Sequence, residues 1–181
     1  AVGLHKSPDE AFGFLSDVLK NANHVEVRKD AAFWLSQTNN GKALAALHHV
    51  VENDPSDDVR EQAIFAISQL KNEKSTDVLI TLAKKGKDKE VRSKAMFWLG
   101  QTASKKAMGA LEDIANDDEN SEVQKNALFA LTQLPDNQGV DPLIKIAKTH
   151  NNPRLRKEAI FWLGQSEDER ALNALIEIVR K

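Results

Sequence analysis

The five histidines are the residues of this chain best suited to hold a metal ion or transfer a proton, and their spacing favours neither role. His48 and His49 are adjacent, so on a helix their side chains point about 100° apart. Two histidines that share a metal on a helix are instead four residues apart. Cysteine is absent, which removes thiolate ligands and cysteine nucleophiles. The sequence therefore predicts no metal site and no cofactor.

The known signatures of catalytic centres are also missing from the sequence. There is no Walker A loop, no glycine-rich dinucleotide fingerprint and no nucleophile elbow. No pair of carboxylates stands apart from the charged residues that recur along the chain. We therefore expect no catalytic residue and a non-enzymatic protein.

Arginine is the charged residue that recurs in a fixed context. Arg28, Arg60 and Arg92 each follow an acidic residue and a valine, and Arg156 occupies the same place in a later copy. A row of arginines can bind phosphate groups. The neighbouring acids favour a second interpretation, in which the arginines form salt bridges and hydrogen bonds between repeats.

These arginines belong to a pattern that occurs five times with a spacing of 32 residues. Its clearest column is phenylalanine, with alanine two positions before it and glutamine four positions after it. The phenylalanines are Phe33, Phe65, Phe97, Phe129 and Phe161. A period of this length is typical of stacked repeats, which form long continuous surfaces. Because these columns are identical in every copy, we expect phenylalanine to pack between repeats and glutamine to bind carbonyls at a helix end.

Each copy has the pattern of two helices. In the first copy, apolar residues have helical spacing from Val27 to Leu35 and again from Ala43 to Val51, and Gly41 lies in a turn between them. No segment alternates in the manner of a β-strand. We therefore predict an all-α fold in which each copy contains a helix A, a short turn and a helix B.

The spacing also predicts how the chain is divided. One period before the first helix B, residues 8–22 have apolar positions at helical spacing, so a half repeat precedes the first full copy. The predicted single domain, 1–181, contains the half repeat 1–22 and the repeats 23–54, 55–86, 87–118, 119–150 and 151–181. Natural arrays need polar repeats at both ends, and neither end has a clear one. We therefore interpret the chain as part of a longer protein.

The copies alternate at the position that follows the phenylalanine. Trp34, Trp98 and Trp162 occur in the odd copies, each with threonine or serine four residues later, whereas the even copies pair alanine with leucine. Positions four apart share a helix face. The alternation predicts an exchange of large and small side chains within the core, and duplication of a block of two repeats.

The two-helix unit that opens with an acidic residue, valine and arginine resembles bacterial HEAT repeats, including those grouped with phycobilisome lyases. The matching stretches begin at Glu26, Asp58 and Glu90, while the fourth copy has Gln124 in place of arginine and the fifth has Arg154 in place of the acid. The resemblance implies a right-handed α-α superhelix, a HEAT-repeat solenoid, with the B helices on its concave side. It also implies a scaffolding or partner-binding role. Similar repeats occur in exported bacterial proteins, which favours the periplasm and leaves a cytoplasmic location open.

Composition narrows the class of partner. The formal net charge is −2 and the isoelectric point is about 6.2, whereas a general nucleic-acid binder needs a basic face to neutralise phosphates. The apolar runs are too short to cross a membrane. We therefore expect protein partners, no nucleic acid and no membrane insertion.

Equivalent positions whose residues differ between copies are the candidates for binding a partner, because the invariant positions are expected to pack against neighbouring helices. On helix B the positions opposite the core form a basic column beside a mildly acidic one. The candidate binding residues are Lys42, His49, Lys74, Asp77, Thr81, Lys84, Lys106, Asp113, Asp141, Lys145, Lys148, Arg170, Asn173 and Glu177. Small residues in the second of these columns, Ala45 and Gly109, predict a groove. The surface is either a site for an extended or helical acidic segment of a protein or a merely solvated face.

Two other functions remain open at this stage. One is a subunit that handles a bound prosthetic group, like a phycobilin lyase or a chaperone, which requires a cavity and a reactive residue. The other is a HEAT-like nucleic-acid binder, which the charge disfavours.

Overall fold

The computed structural model describes residues 7–38, 40–70 and 73–180, and all regular structure in these ranges is helical. This confirms the predicted all-α class. The helices are α1 (Pro8–Asn21), α2 (Val25–Ser36), α3 (Ala43–Asn53), α4 (Asp57–Gln69), α5 (Glu73–Lys85), α6 (Lys89–Gly100), α7 (Lys105–Asp117), α8 (Ser121–Thr132), α9 (Val140–Thr149), α10 (Pro153–Gly164) and α11 (Glu169–Val179). Residues 1–6 of the predicted half repeat and Lys181 lie outside the described residues.

The chain divides into two compact units, one ending at Ala95 and the other beginning at Met96. In the first unit, α2 packs against α4, and α1 and α3 pack against them. Its core contains Leu35, Leu47 and Ile67, which are fully buried. In the second unit, α8 and α10 pack together with α7, α9 and α11. Each unit therefore has the layered A and B helices that the spacing predicts.

Among helices that are consecutive in the chain, the most extensively packed pairs join a helix B to the helix A that follows it. These pairs are α1–α2 and α3–α4 in the first unit, and α7–α8 and α9–α10 in the second. The chain reverses between the two helices of each pair and leaves the helix B through an extended residue, such as Asp54 (φ −67°, ψ 135°) or His150 (φ −64°, ψ 136°). In the second unit, α8 and α10 then begin at Asx caps, as Asn152 accepts a hydrogen bond from the backbone N–H of Arg154 at 2.9 Å.

The arginine column closes the ends of these reversals. Arg28 donates to the carbonyls of Ala22 and Asn23 at 2.9 and 3.3 Å, and Arg156 donates to the carbonyl of His150 at 2.7 Å. Each guanidinium thus satisfies carbonyls at the C-terminus of the preceding helix B, where the helix dipole also favours a cation.

The same arginines also bind acidic residues within and between repeats. Arg28 forms a two-pronged ion pair with Asp54, the last residue of its own repeat, with Nε–Oδ2 at 2.9 Å and Nη2–Oδ1 at 3.0 Å. Arg60 lies 3.5 Å from the carboxylate of Asp88 and donates to the carbonyl of Asp54 at 3.1 Å. The fourth copy has glutamine in place of arginine but keeps the hydrogen bond to the preceding repeat, because Gln124 donates to the carbonyl of Asn116 at 3.2 Å. The interpretation of this column as packing between repeats is confirmed.

The phenylalanine column packs between repeats but remains partly open to solvent. Phe33 and Phe65 stack with ring planes 4° apart and centroids 6.5 Å apart. In the second unit, Phe129 lies 5.4 Å from the ring of Trp162. Phe161 is nevertheless 55% exposed. Packing between repeats is therefore confirmed, whereas the phenylalanine rings are at the edge of the core.

The expected roles of tryptophan and glutamine need correction. Trp34 is 44% exposed, with its ring edge-on to Phe33 at 5.3 Å, while Ala66 at the same position of the next copy is fully buried. At this position neighbouring helices cover the methyl group of Ala66, whereas the longer indole of Trp34 extends past them into solvent. Within the described residues, the side chains of Gln37, Gln69 and Gln133 donate to a neighbouring hydroxyl group and not to a carbonyl. Gln37 donates to the hydroxyl of Ser36 at 2.9 Å, and that hydroxyl donates to the carbonyl of Phe33 at 2.7 Å.

Candidate functional site

Every one of the fourteen predicted binding residues is exposed. Lys42, His49, Lys74, Asp77, Thr81 and Lys84 belong to the first unit, and Lys106, Asp113, Asp141, Lys145, Lys148, Arg170, Asn173 and Glu177 belong to the second. They lie on α3, α5, α7, α9 and α11 or directly before α3, on the side away from the buried residues of those helices. We call this side the B-helix surface, and we describe it separately in each unit.

In the first unit the B-helix surface contains a groove of about 370 Å³ between α1 and α3. Its apolar lining includes Leu19, Ala46 and Val50, and His49 and Lys20 lie at its polar parts. Ala46 is small enough to leave the space open between the two helices. The sequence predicted a groove from the small neighbouring residues Ala45 and Gly109, and this groove instead centres on Ala46.

The groove also contains a buried hydroxyl group that lacks a partner. Ser16 Oγ lines the groove, is inaccessible to solvent and makes no hydrogen bond within the described residues. Buried polar atoms are nearly always hydrogen-bonded, and one left without a partner costs about 1–3 kcal/mol. If the Ser16 side chain rotated toward the groove, a ligand with a donor or acceptor there would remove that cost.

Sequence reasoning missed the contribution of α1 to this surface. The signal was available, because the period that places Ala11 in the register of Ala43 also places Asp17 and Lys20 in the columns of His49 and Glu52. Asp17 and Lys20 are exposed in the structure, as those columns predict. The candidate columns cover only the five full copies, so the outer face of the half repeat is not among the candidate residues.

In the second unit, ion pairs between neighbouring repeats occupy part of the B-helix surface. Lys145 Nζ lies 2.7 Å from Glu112 Oε1, and this hydrogen bond raises the pKa of Lys145. Lys148 Nζ lies 2.6 Å from the carboxylate of Glu177. These exposed pairs contribute little to stability. They do mean that an acidic partner would compete with carboxylates of this chain for the same lysines.

Arg170 is held by a second group of carboxylates at the end of the same surface. It lies 2.7 Å from Asp141 and 2.9 Å from Asp168, and it donates to the carbonyl of Asn137 at 3.2 Å. Asp168 also caps α11 by accepting from the backbone N–H of Arg170 at 2.9 Å. The hydrogen bonds from the Arg170 side chain and backbone lower the pKa of Asp168 to about 2.

The depressed pKa of Asp168 predicts a change of stability in acid. A carboxyl with a folded-state pKa of about 2 stabilises the protein above its unfolded pKa of about 3.9, and this contribution disappears as the pH falls through 2. Asp168→Asn keeps an N-cap acceptor but cannot titrate. We expect the melting temperature of the wild-type protein to fall more steeply between pH 4 and pH 2 than that of Asp168→Asn. The prediction would be contradicted if the melting temperatures of the two proteins fell by the same amount between pH 4 and pH 2.

Three of the histidines contact other residues, His48 and His49 near the end of α3 and His150 in the reversal before α10. His48 Nε2 lies 3.8 Å from Glu52, and His49 Nδ1 lies 3.1 Å from the amide of Asn53. His150 accepts the backbone N–H of Asn152 on Nδ1, which leaves Nε2 to donate to the carbonyl of Asn116. Among residues 7–38, 40–70 and 73–180, no three or more His, Asp or Glu side chains are grouped so that they could hold a metal ion.

A second cavity lies within the second unit, at the turns between helices A and B. It has a volume of about 400 Å³ and is lined by Leu131, Val140, Leu143, Trp162, Gln165 and Glu167. The indole N–H of Trp162 is buried and has no acceptor within the described residues. Sequence reasoning treated Trp162 as a core residue, and its place in the wall of a cavity was not predicted.

Within the described part of the chain, no helix is long and apolar enough to cross a membrane.

The family model described as HEAT repeats matches residues 13–100 and 108–181. No curated protein matches the chain. Several solved structures are similar in fold, at identities too low to indicate a shared function.

One of these structures is the complex of CpcE and CpcF of phycocyanin lyase from Nostoc sp. PCC7120, with a TM-score of 0.56 and 23% identity over 87% of this chain and 99% of that one. Human deoxyhypusine hydroxylase has a TM-score of 0.60 and 18% identity, with 94% of this chain and 67% of that chain covered. Kap121p bound to Ste12p has a TM-score of 0.54 and 16% identity, with 94% and 19% covered. These similarities agree with the predicted fold class, that of α-α superhelical repeat proteins.

Proposed function

We propose, since the chain belongs to the HEAT-repeat family, that it is a non-enzymatic scaffold that binds a segment of a protein partner along the B-helix surface. The partner segment is extended or helical, carries acidic residues, and inserts an apolar side chain between α1 and α3. Repeat proteins commonly use such continuous surfaces for binding.

The observation that carries this proposal is the groove of the first unit. It combines an apolar floor of Leu19, Ala46 and Val50 with an unpartnered hydroxyl at Ser16, on the same surface as the exposed basic residue Lys42. An apolar anchor in a small pocket, surrounded by polar and charged groups, is the usual arrangement of a peptide-binding site.

The acidic character of the partner follows from the charge of the first column of the surface. Lys42, Lys74 and Lys106 recur in that column and are exposed. Charges at the rim of an interface mainly govern the rate and specificity of association, whereas the buried apolar anchor contributes most of the affinity. Two of the similar structures, the CpcE–CpcF complex and Kap121p bound to Ste12p, are themselves complexes between proteins, which supports the general role.

The proposal is tested with short acidic peptides selected from a display library against the immobilised protein. Their dissociation constants are then measured by fluorescence anisotropy. We expect Ala46→Phe, which fills the groove, to weaken binding by about tenfold or more, equivalent to about 1.4 kcal/mol. The double variant Lys42→Glu/Lys74→Glu, with both changes in the first unit, should mainly slow association.

The control is Lys125→Glu, which reverses an exposed charge on α8, away from the B-helix surface. It should leave the dissociation constant unchanged. Ala46→Phe is expected to fold normally, because α1 carries phenylalanine at the equivalent position, Phe14. If selected peptides bind the wild-type protein and Ala46→Phe equally well, the groove is not the binding site.

A second candidate function is the handling of a tetrapyrrole, as in a lyase or chaperone subunit. The observation that favours it is the cavity beside Trp162, together with the likeness to the structure of the phycocyanin lyase subunits. In a variant that combines Trp34→Phe and Trp98→Phe, fluorescence comes from Trp162 alone. Addition of a linear tetrapyrrole should then quench this emission and shift the absorption of the pigment. Unchanged spectra at saturating pigment would exclude this function.

A further inference from the structure

At two of the reversals between a helix B and the next helix A, an aspartate side chain closes the turn. Asp54 follows α3 directly, and its Oδ1 accepts the backbone N–H of Ser56 at 2.9 Å. Asp118 follows α7 in the same way, and its Oδ1 accepts the backbone N–H of Asn120 at 3.0 Å. The acceptor lies two residues before the donor, as in an Asx turn. Each carboxylate therefore fixes the start of the next helix relative to the end of the preceding helix B.

One period after Asp118, the chain has a histidine in the same place. His150 follows α9, and its Nδ1 accepts the backbone N–H of Asn152 at 3.0 Å. A backbone N–H can only donate, so Nδ1 carries no proton and the ring is neutral in this arrangement. Nε2 carries the proton and donates to the carbonyl of Asn116, near the end of α7, at 3.2 Å. An imidazole nitrogen thus takes the place of the carboxylate oxygen.

The two kinds of acceptor respond differently to pH. A carboxylate side chain accepts hydrogen bonds throughout the neutral and mildly acidic range, because its ordinary pKa is about 4. An imidazole has an ordinary pKa of about 6.5, and once it is protonated both of its nitrogens donate. The N–H groups of His150 and Asn152 would then face each other, so this hydrogen bond cannot survive protonation. The equivalent residues Ala22 and Gly86, after α1 and α5, have no side-chain acceptor that could titrate.

Charged groups from three helices surround the imidazole. His150 is half-buried in the wall of a polar cavity of about 610 Å³ in the second unit, so the ring has room to turn. Lys145 of α9 also lines this cavity and is bonded to a carboxylate at 2.7 Å, and Arg156 of α10 donates to the carbonyl of His150 at 2.7 Å. From α8 the cavity receives the uncharged Gln124. From α7 it receives acidic residues, which are Glu112, Asp113 and Asp117.

These groups offer the protonated ring a second arrangement. The carboxylates of α7 attract an imidazolium, whereas the two cations oppose it. Lys145 is already paired with Glu112, and Arg156 is held by backbone carbonyls. The acids therefore outweigh the cations, and a ring that has lost the N–H of Asn152 can turn toward them.

We propose that His150 is a pH-sensitive latch between α9 and α10. At neutral pH the neutral ring holds the N–H of Asn152 and closes the reversal. In mild acid the protonated ring releases that N–H and turns toward the carboxylates of α7, which loosens the start of α10. The latch lies within the second unit and is independent of the peptide-binding groove proposed for the first unit.

The test is amide hydrogen exchange of the intact protein, followed by NMR between about pH 7.5 and pH 5.5, on either side of the ordinary imidazole pKa. Each rate is divided by the rate of an unfolded chain at the same pH, which gives a protection factor. We expect the protection factor of the Asn152 amide to fall by about tenfold as its acceptor is lost. The Asn120 amide, which is bonded to Asp118 in the same unit, is the internal control and should keep its protection.

Variants of His150 separate loss of the acceptor from other effects of acid. His150→Asn keeps a side-chain acceptor that does not titrate, so the protection of Asn152 should stay high at both pH values. His150→Ala has no acceptor, and the protection should be low at both. The matched control His48→Gln removes an imidazole from α3 in the first unit and should leave the wild-type response in place.

The ring protons of His150, observed in the same titration, show whether the latch opens with protonation. Their midpoint should coincide with that of the Asn152 amide. The proposal would be overturned if the ring titrated while the protection of Asn152 stayed constant, or if it did not titrate in this range. An equal loss of protection in His150→Asn and the wild-type protein would also overturn it, because another group would then be responsible.

Discussion

Replacement of Asp54 by alanine is expected to lower the free energy of unfolding by about 3–5 kcal/mol, which is a large part of the total for a protein of this size. Asp54 and Arg28 are both buried, and two hydrogen bonds of 2.9 and 3.0 Å join them. The bond from Asp54 raises the pKa of Arg28, which remains charged in the variant. The loss arises because a buried cation is left with only the carbonyls of Ala22 and Asn23.

The measurement is urea unfolding followed by circular dichroism, with Lys145→Ala as the matched control. Lys145 forms an ion pair with Glu112 of the neighbouring repeat, but its side chain is 66% exposed. Its removal should change stability by about 0.5 kcal/mol or less. The double variant Arg28→Leu/Asp54→Leu should recover part of the loss, because no charge remains buried. If Asp54→Ala and Lys145→Ala are equally stable, Asp54 does not balance a buried charge.

The fold could be predicted because the same pattern of apolar positions occurs in five copies, so each copy is separate evidence for the same packing. Helical spacing of residues such as Val59, Ala63 and Ile67 identified the buried side of each helix A, and these residues are fully buried. The period could not show which helices lie closest, since a spacing of 32 residues is the same wherever the unit is taken to begin. The close pairing of α3 with α4 depends on the extended residue Asp54, whose conformation is set by the structure around it.

The location of the candidate surface could be predicted from the sequence, but the depth of its groove could not. Outward columns such as that of His49 follow from helix geometry, so their exposure could be inferred from sequence. The depth of the groove depends on the distance between α1 and α3 and on the size of Ala46, and a helical pattern contains neither quantity. The exposure of Trp34 has a similar cause. The helical pattern predicts which face of α2 carries Trp34. Whether the indole is covered depends on its length relative to the neighbouring side chains.

Gly139→Ala is expected to destabilise the protein by about 2 kcal/mol or more. A Cβ atom built at Gly139 would overlap the backbone carbonyl of Leu131 in α8. Equivalent copies contain alanine or serine at this position, as at Ala107. The difference lies in the preceding turn, where Asp136 and Asn137 both have left-handed backbones, with φ of 56° and 55°. The chain therefore enters α9 in direct contact with α8.

The matched control is Gly109→Ala, in the same unit. A Cβ atom at Gly109 meets nothing within 4 Å, and the residue lies inside α7. Alanine is favoured over glycine inside a helix, so this variant should gain about 0.5–1 kcal/mol. The same chemical substitution is therefore expected to change the free energy of unfolding in opposite directions at the two positions, and urea unfolding of the two single variants measures this. A gain in stability for Gly139→Ala would mean that α8 and α9 can separate without cost, and that the backbone contact at Leu131 does not limit the residue at position 139.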